Sequence, residues 1–409
     1  MSFIDRNVKI RPSRGEAPFS LEEVFFSRTD DRGVIEAGNA VFSRVAHYDW
    51  EEMHGAPHKL IRHPDMPKGV FWLFWDTLKR GKSIGAYVKN QAKDGLYYWV
   101  FAVVTPCEGG YLSARIKPTS SLLATIEAEY AALRTAETEE ELSPEDSAKR
   151  LLDRLNEMGF DEYEKFSSHA LSEELIARDS GLGQTPDPKI SKFRTMLTNA
   201  DELTKETESL VQEFEAMRTI PHNLRVIASR IEPAGGPVTV LSQNYGTMSR
   251  DMSEWFEKHV LGENSNFSAI KSTVNHSMFV ECLARILNEC DTQLAKEAQQ
   301  EDSNRVDTAK EHQLLADLTA KQSKKAEAGL RDVNIEADRI LNACTVMHRH
   351  FLGLSSTRVL CKIESARLSR DGETLTTIID QLGVFQGRIS KRLGRIEQLS
   401  TVIRATENE

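Results

Sequence analysis

The chain has 409 residues, 40% hydrophobic and 28% charged, a length that allows two or more domains with separate cores and a composition typical of globular proteins. Its net charge is −10, and because residues 1–118 hold 17 Lys and Arg against 14 Asp and Glu, the remainder carries −13, which argues against nucleic acid as the main partner. The most apolar run, Gly69 to Trp75, is far shorter than the ~20 residues of a membrane span, and MSFIDRNVKI lacks a secretory core, so a cytoplasmic protein is expected.

From Val24 to Lys117 the residues alternate and turn like an α+β domain. Val24–Asp30 reads as a strand, Asp31-Arg32-Gly33 as a turn, and Val34–Ala37 as a second strand. Asn39–Ala46, Asp49–Met53 and Pro57–Ile61 read as short helical pieces. Met66–Arg80 reads as a longer helix with Asp65 as its N-cap, Pro67 in its first turn and Gly81 at its end. Ile84–Gln91 and Leu96–Thr105 flank the hairpin signal Lys93-Asp94-Gly95, and Tyr111–Lys117 is a final strand. Two strands, a helical crossover and three antiparallel strands make the five-stranded order of a PAS domain.

Beyond Pro118 helical periodicity takes over. Ser120–Arg134 and Ala148–Met158 are amphipathic, and the acidic run Glu137 to Asp146 between them reads as a solvated loop and helix start. Asp179–Pro188 (DSGLGQTPDP) reads as a linker. Phe193, Met196, Ala200, Leu203, Thr207, Leu210, Phe214 and Met217 are spaced alternately three and four apart, which gives a helix one apolar seam for a bundle or coiled coil. Breaks are expected near Pro221 and at Glu232–Pro237. Phe267, Ile270, Val274, Met278, Cys282, Ile286 and Cys290 form a second stripe after a cap at Asn264–Asn266, and Leu314 to Phe351 continues in the same style. Residues 225–234 weakly echo residues 358–366.

Chemistry concentrates in Pro57-His58-Lys59-Leu60-Ile61-Arg62-His63-Pro64-Asp65-Met66-Pro67-Lys68, followed by Trp75, Gly81, Val88-Lys89-Asn90, Lys93-Asp94-Gly95 and Tyr98-Trp99-Val100. In order and spacing these motifs resemble the PAS domain of the aerotaxis receptor family. The resemblance covers Val24 to Lys117 and implies a domain that binds FAD and reports redox state. Carried over by position, it assigns flavin binding to Arg62, His63 and Asp65. An arginine at a helix start would suit a pyrophosphate, and Asn39 and Asn90 are amides suited to a flavin's polar edge. The family's tryptophan after Gly81 falls at Ile84, leaving Trp72, Trp75 or Trp99 to supply an aromatic wall. Haem b, with His58 or His63 as axial ligand, and an empty cavity serving dimerisation are the alternatives. The stretch His58–Lys68 has no cysteine for a light-driven flavin adduct.

Asn223 to Glu232, a small-residue turn and Val238 to Ser242 resemble the hairpin tip of chemoreceptor signalling domains, though shortened and carrying Pro233 and Pro237. That resemblance implies docking to a histidine kinase and its coupling protein, and a homodimer. Five scattered cysteines without a CxxC pair form neither a disulfide framework nor a zinc site. No catalytic constellation stands out, so an enzyme is not expected. The expected layout is a tail at 1–18, a PAS sensory domain at 19–118, a helical connector and linker at 119–188, and an all-α, chemoreceptor-like region at 189–409. The expected function is a redox or oxygen sensor feeding a helical signalling region. A non-catalytic scaffold whose PAS domain mediates association is the alternative.

Overall fold

The computed structural model describes residues 11–217, 220–231, 237–256, 266–298, 307–366 and 372–405. The expected breaks at residues 232–236 and the cap at residues 264–265 lie outside them. The chain divides into two compact units. One holds the residues up to Ser191 together with Asn275–Glu327, and the other holds Lys192–Val274 and Ala328 onward.

The first unit is built on a five-stranded antiparallel sheet of order β2-β1-β5-β4-β3. The strands are β1 Phe25–Asp30, β2 Ile35–Gly38, β3 Ile84–Gln91, β4 Tyr97–Cys107 and β5 Gly110–Ile116. Between β2 and β3 run α1 Ala40–Ala46, α2 Trp50–Met53, a 3-10 turn His58–Ile61 and α3 Lys68–Lys79. This is the expected PAS order. Strand alternation then divides the side chains between two faces. Asn90 stands opposite Tyr98, and Phe25 opposite Arg115, on the inner face beneath α3. Tyr87, Trp99 and Phe101 take the outer face, against α4 Leu122–Glu139 and α6 Tyr163–Gly181.

Helix α3 starts at Lys68 rather than Met66, with Pro67 at the cap position and no side-chain cap of its own. Asp65 is not the cap because its carboxylate reaches Lys89 Nζ at 2.7 Å. The cap comes from the acidic run instead. Helix α4 continues to Glu139, so the expected solvated loop shrinks to residues 140–143, the expected helix start falls at Pro144, and Glu137 itself is buried rather than solvated. The buried Glu137 carboxylate accepts from Lys68 N at 2.6 Å, Gly69 N at 3.3 Å and Ser147 Oγ at 2.6 Å, and pairs with Arg134 at 2.6 Å. A carboxylate there satisfies orphan donors and complements the helix dipole. Gly69 is required by α5 Pro144–Glu157, since a Cβ would sit 2.5 Å from Ala148 N and Ser147 Oγ.

Three further ties join helices to the sheet domain. Glu174 of α6, fully buried, accepts from Tyr87 Oη at 2.6 Å, Thr119 N at 2.6 Å and Ser120 N at 3.0 Å, which pins the exit from β5. Glu297, near the end of α10 Asn266–Ala298, accepts from Ala40 N at 2.7 Å and Asn39 Nδ2 at 3.0 Å. Glu311, in α11 Thr308–Ser365, is buried against Arg28 of β1 at 2.8 Å, and Glu36 also pairs with Arg28. The expected linker is narrower than Asp179–Pro188. Asp179 lies in α6, buried, and its carboxylate accepts from Arg285 Nη1 at 2.8 Å.

In the second unit the seam of α7 Pro188–Met217 is buried from Phe193 through Phe214. Arg392 and Arg395 of α12 Gly372–Ala405 pair with Glu206 and Glu202 of α7 at 2.9 and 2.5 Å. Helices α8 Ile220–Ile231 and α9 Pro237–Phe256 pack on one another. Among the described residues no helix is long and apolar enough to cross a membrane.

Replacing Glu137 by Ala would strand two backbone donors, a hydroxyl and an arginine. We expect Glu137→Ala to lower the stability of the first unit by about 2–4 kcal/mol in urea unfolding and to speed amide exchange at Lys68 and Gly69. Unchanged protection of those two amides would contradict the cap.

Candidate functional site

The inner face of the sheet, α3 and the 3-10 turn enclose a cavity of about 350 Å³, within the range of small-molecule sites. Strands contribute Val88, Asn90, Ala102, Val104, Ser113 and Arg115, and α3 contributes Phe71, Phe74, Trp75 and Leu78. Trp75 reaches the turn after β1, where Gly33 adopts φ +81° and a Cβ would meet the indole at 3.1 Å. Tyr111 meets Trp75 edge-on with ring centroids 5.6 Å apart.

At the floor lies Arg115, 3% exposed. It donates from Nη1 to Ser27 Oγ at 3.0 Å and to the Ser113 carbonyl at 3.4 Å, and from Nη2 to His58 Nε2 at 2.6 Å. Phe42 lies under its guanidinium at 5.2 Å and stacks on His58, with ring centroids 5.9 Å apart. Burial brings Arg115 down to about 10, so it remains a cation near neutral pH. Burial, then Arg115, then Arg62 hold His58 well below the usual imidazole range, so its ring is neutral and Nε2 is an acceptor. Asn90 Nδ2 and Ser113 Oγ are buried with no hydrogen-bond partner among the described residues.

Of the residues singled out in the sequence, Arg62, Asn90, Trp75 and the haem candidate His58 line this cavity. Arg62 lies over the Phe71 ring at 3.5 Å, and its backbone bridges to Asn90. The others lie elsewhere. Asn39 Oδ1 accepts from Phe26 N at 3.2 Å and its amide donates to the Val24 carbonyl at 3.1 Å, so its side chain is used in holding β1. Trp99 is on the outer face because it and the other odd-numbered residues of β4 point away from the face of Tyr98, Asn90's partner. Asp65, Lys89 and Trp99 line a separate groove under α4 with Tyr130 and Arg134. His63 lines neither. Its Nδ1 accepts from Asp65 N at 3.1 Å. Axial haem ligation through His58 Nε2 would have to displace both Arg115 and Ser27, which lie 2.6 and 3.1 Å away. Arg115 and Ser113 were missed, although Tyr111, Ser113 and Arg115 at alternate positions of one strand are a readable signal.

Residues 36–110 match the PAS fold family. The sheet domain is a PAS fold. The chain is also 39% identical over 126 residues to the aerotaxis receptor of Escherichia coli (strain K12). That match covers 30% of this chain and spans a quarter of the receptor's own length. The PAS domain and its likeness to an aerotaxis receptor support a signal-transduction sensor.

The neutral state of His58 has a thermodynamic sign. The unfolded state takes up a proton below about pH 6.5 that the folded state refuses, so stability is intact above that value and falls as the pH drops below it. We expect His58→Gln, which keeps an acceptor for Arg115, to flatten the decline in urea midpoint between about pH 7 and about pH 5. An identical decline in both proteins would contradict this assignment.

Proposed function

We propose that the protein is a non-catalytic redox or oxygen sensor whose PAS cavity binds a flavin, FAD being the form expected. The observation that carries this reading is a cavity with an aromatic wall and two unpartnered buried polar atoms, Asn90 Nδ2 and Ser113 Oγ. Buried polar groups without partners are costly, and a planar ligand with a polar edge would satisfy them. A bound flavin supplies a ring whose charge and hydrogen-bonding edge change with oxidation state. Asn90 and Ser113 would orient that edge, and Trp75, Phe71 and Arg62 would exclude water around it. The cavity's size suits a ring system, and Lys59 and Arg62 in its lining are cations that would suit a dinucleotide's phosphates.

Transmission requires that two ligand states differ in how they favour two arrangements of the protein. Helix α3 contributes the aromatic wall, and its first turn is held by Glu137 of α4. A shift of α3 therefore alters what α4 holds. We further propose that the protein works as a homodimer in the cytoplasm and that its helical region passes the signal to a chemotaxis-type histidine kinase with a coupling protein. The hairpin-like sequence around α8 and α9, together with the similarity to an aerotaxis receptor, supports that output.

The test is an absorption spectrum of the purified full chain, before and after incubation with FAD and desalting. A retained flavin spectrum is expected, and Asn90→Ala or Trp75→Ala should reduce retention about ten-fold. A colourless protein after reconstitution would overturn the redox reading and leave an association module.

A further inference from the structure

The PAS sheet carries two buried arginines treated in opposite ways. Arg28, on the outer face of β1, is neutralised by Glu36 and by the buried Glu311. Arg115, on the inner face of β5, is at least as deeply enclosed, yet no carboxylate reaches it among the described residues. Its three hydrogen-bond partners are an imidazole kept neutral, a hydroxyl and a carbonyl. The cavity around it has no Asp or Glu in its lining among the described residues, while Arg32, Lys59, Arg62 and Arg115 all contribute to it. Arg32 is matched by Asp30 outside the cavity, but the Arg62 guanidinium lies on Phe71. A buried cation without a counter-charge carries a large desolvation cost, and a fold retains one most readily where a ligand supplies the charge.

We propose that Arg115 is the counter-ion of the cavity's ligand and restricts that ligand to planar molecules carrying negative charge. The proposal rests on the reading of this cavity as a ligand site and adds its charge selectivity. The neutral His58 ring serves the same end. It accepts one guanidinium N–H, holds the fork in place from the side and adds no second positive charge. Phe42, lying beside both His58 and Arg115, keeps the pair in register. In flavin terms, Arg115 favours whichever state of the ring bears negative charge over the neutral one.

The test uses the full chain and two fluorescent probes that share one ring system, anilinonaphthalene sulfonate and the uncharged phenylnaphthylamine. The wild-type protein should prefer the sulfonate by at least about ten-fold, the worth of a charge-assisted hydrogen bond in an enclosed site. Arg115→Gln should abolish that preference while binding the neutral probe within about two-fold of wild type, and Arg115→Lys should retain most of it. Equal binding of the two probes by the wild-type protein would overturn the assignment, and this arm needs no variant to fold. Parallel loss of both probes in a folded Arg115→Gln protein would overturn it as well. Incubation with FAD is scored separately by absorbance after desalting. Failure to retain FAD alongside an intact sulfonate preference would remove the flavin reading and leave the Arg115 assignment standing.

Discussion

Two helices beside the PAS cavity begin without a cap of their own, and each is capped by a carboxylate from far along the chain. Helix α1 starts after Asn39, whose side chain is turned back to β1, and its first donor, Ala40 N, is taken by Glu297. Helix α3 starts after Pro67, and its first two donors are taken by Glu137. Backbone donors at a helix start must find acceptors, so the placement of both helices is tied to segments outside the PAS sequence. Burial raises the proton affinity of Glu297, and the hydrogen bonds it accepts from Gln293, Ala40, Val41 and Asn39 offset that only in part. The PAS fold here is therefore completed by the helices that follow it.

This arrangement gives a physical route from cavity to helices. Phe71, Phe74, Trp75 and Leu78 put one face of α3 on the cavity, while Gly69 puts its first turn directly against Ser147 and Ala148 of α5. On the other side of the sheet, Glu174 clasps Tyr87, Thr119 and Ser120. A change inside the sheet can thus reach α4 from both ends, through Glu137 near its end and through the residues that precede Leu122. Close packing makes such elements shift as units rather than deform smoothly.

The strands, the hairpin at Lys93-Asp94-Gly95 and the heptad seam of α7 were legible because they follow periods of two and three-and-a-half, which local side-chain chemistry writes directly into the sequence. Asp65 looked like a cap because local spacing is all a sequence displays. The cap that formed, Glu137, is 69 positions from Lys68 and sits in a run whose acidity suggested solvent. Asn39 had the right chemistry for a ligand contact, but β1 offered its amide a nearer pair of backbone groups. Trp99 could have been placed on the outer face from register alone once Asn90 was set opposite Tyr98. Arg115 was legible in principle and overlooked, since an arginine in an otherwise apolar strand is easily read as a surface residue.

On the proposed reading, what occupies the PAS cavity changes the hold of Glu137 on α3, and so reaches the helical region. Hydrogen–deuterium exchange on the full chain reconstituted with FAD, compared between the oxidised and the chemically reduced protein, tests this most directly. Exchange should change together in Lys68–Lys79 and Leu122–Glu139. A change confined to the strands lining the cavity, with both helices exchanging alike in the two states, would contradict it.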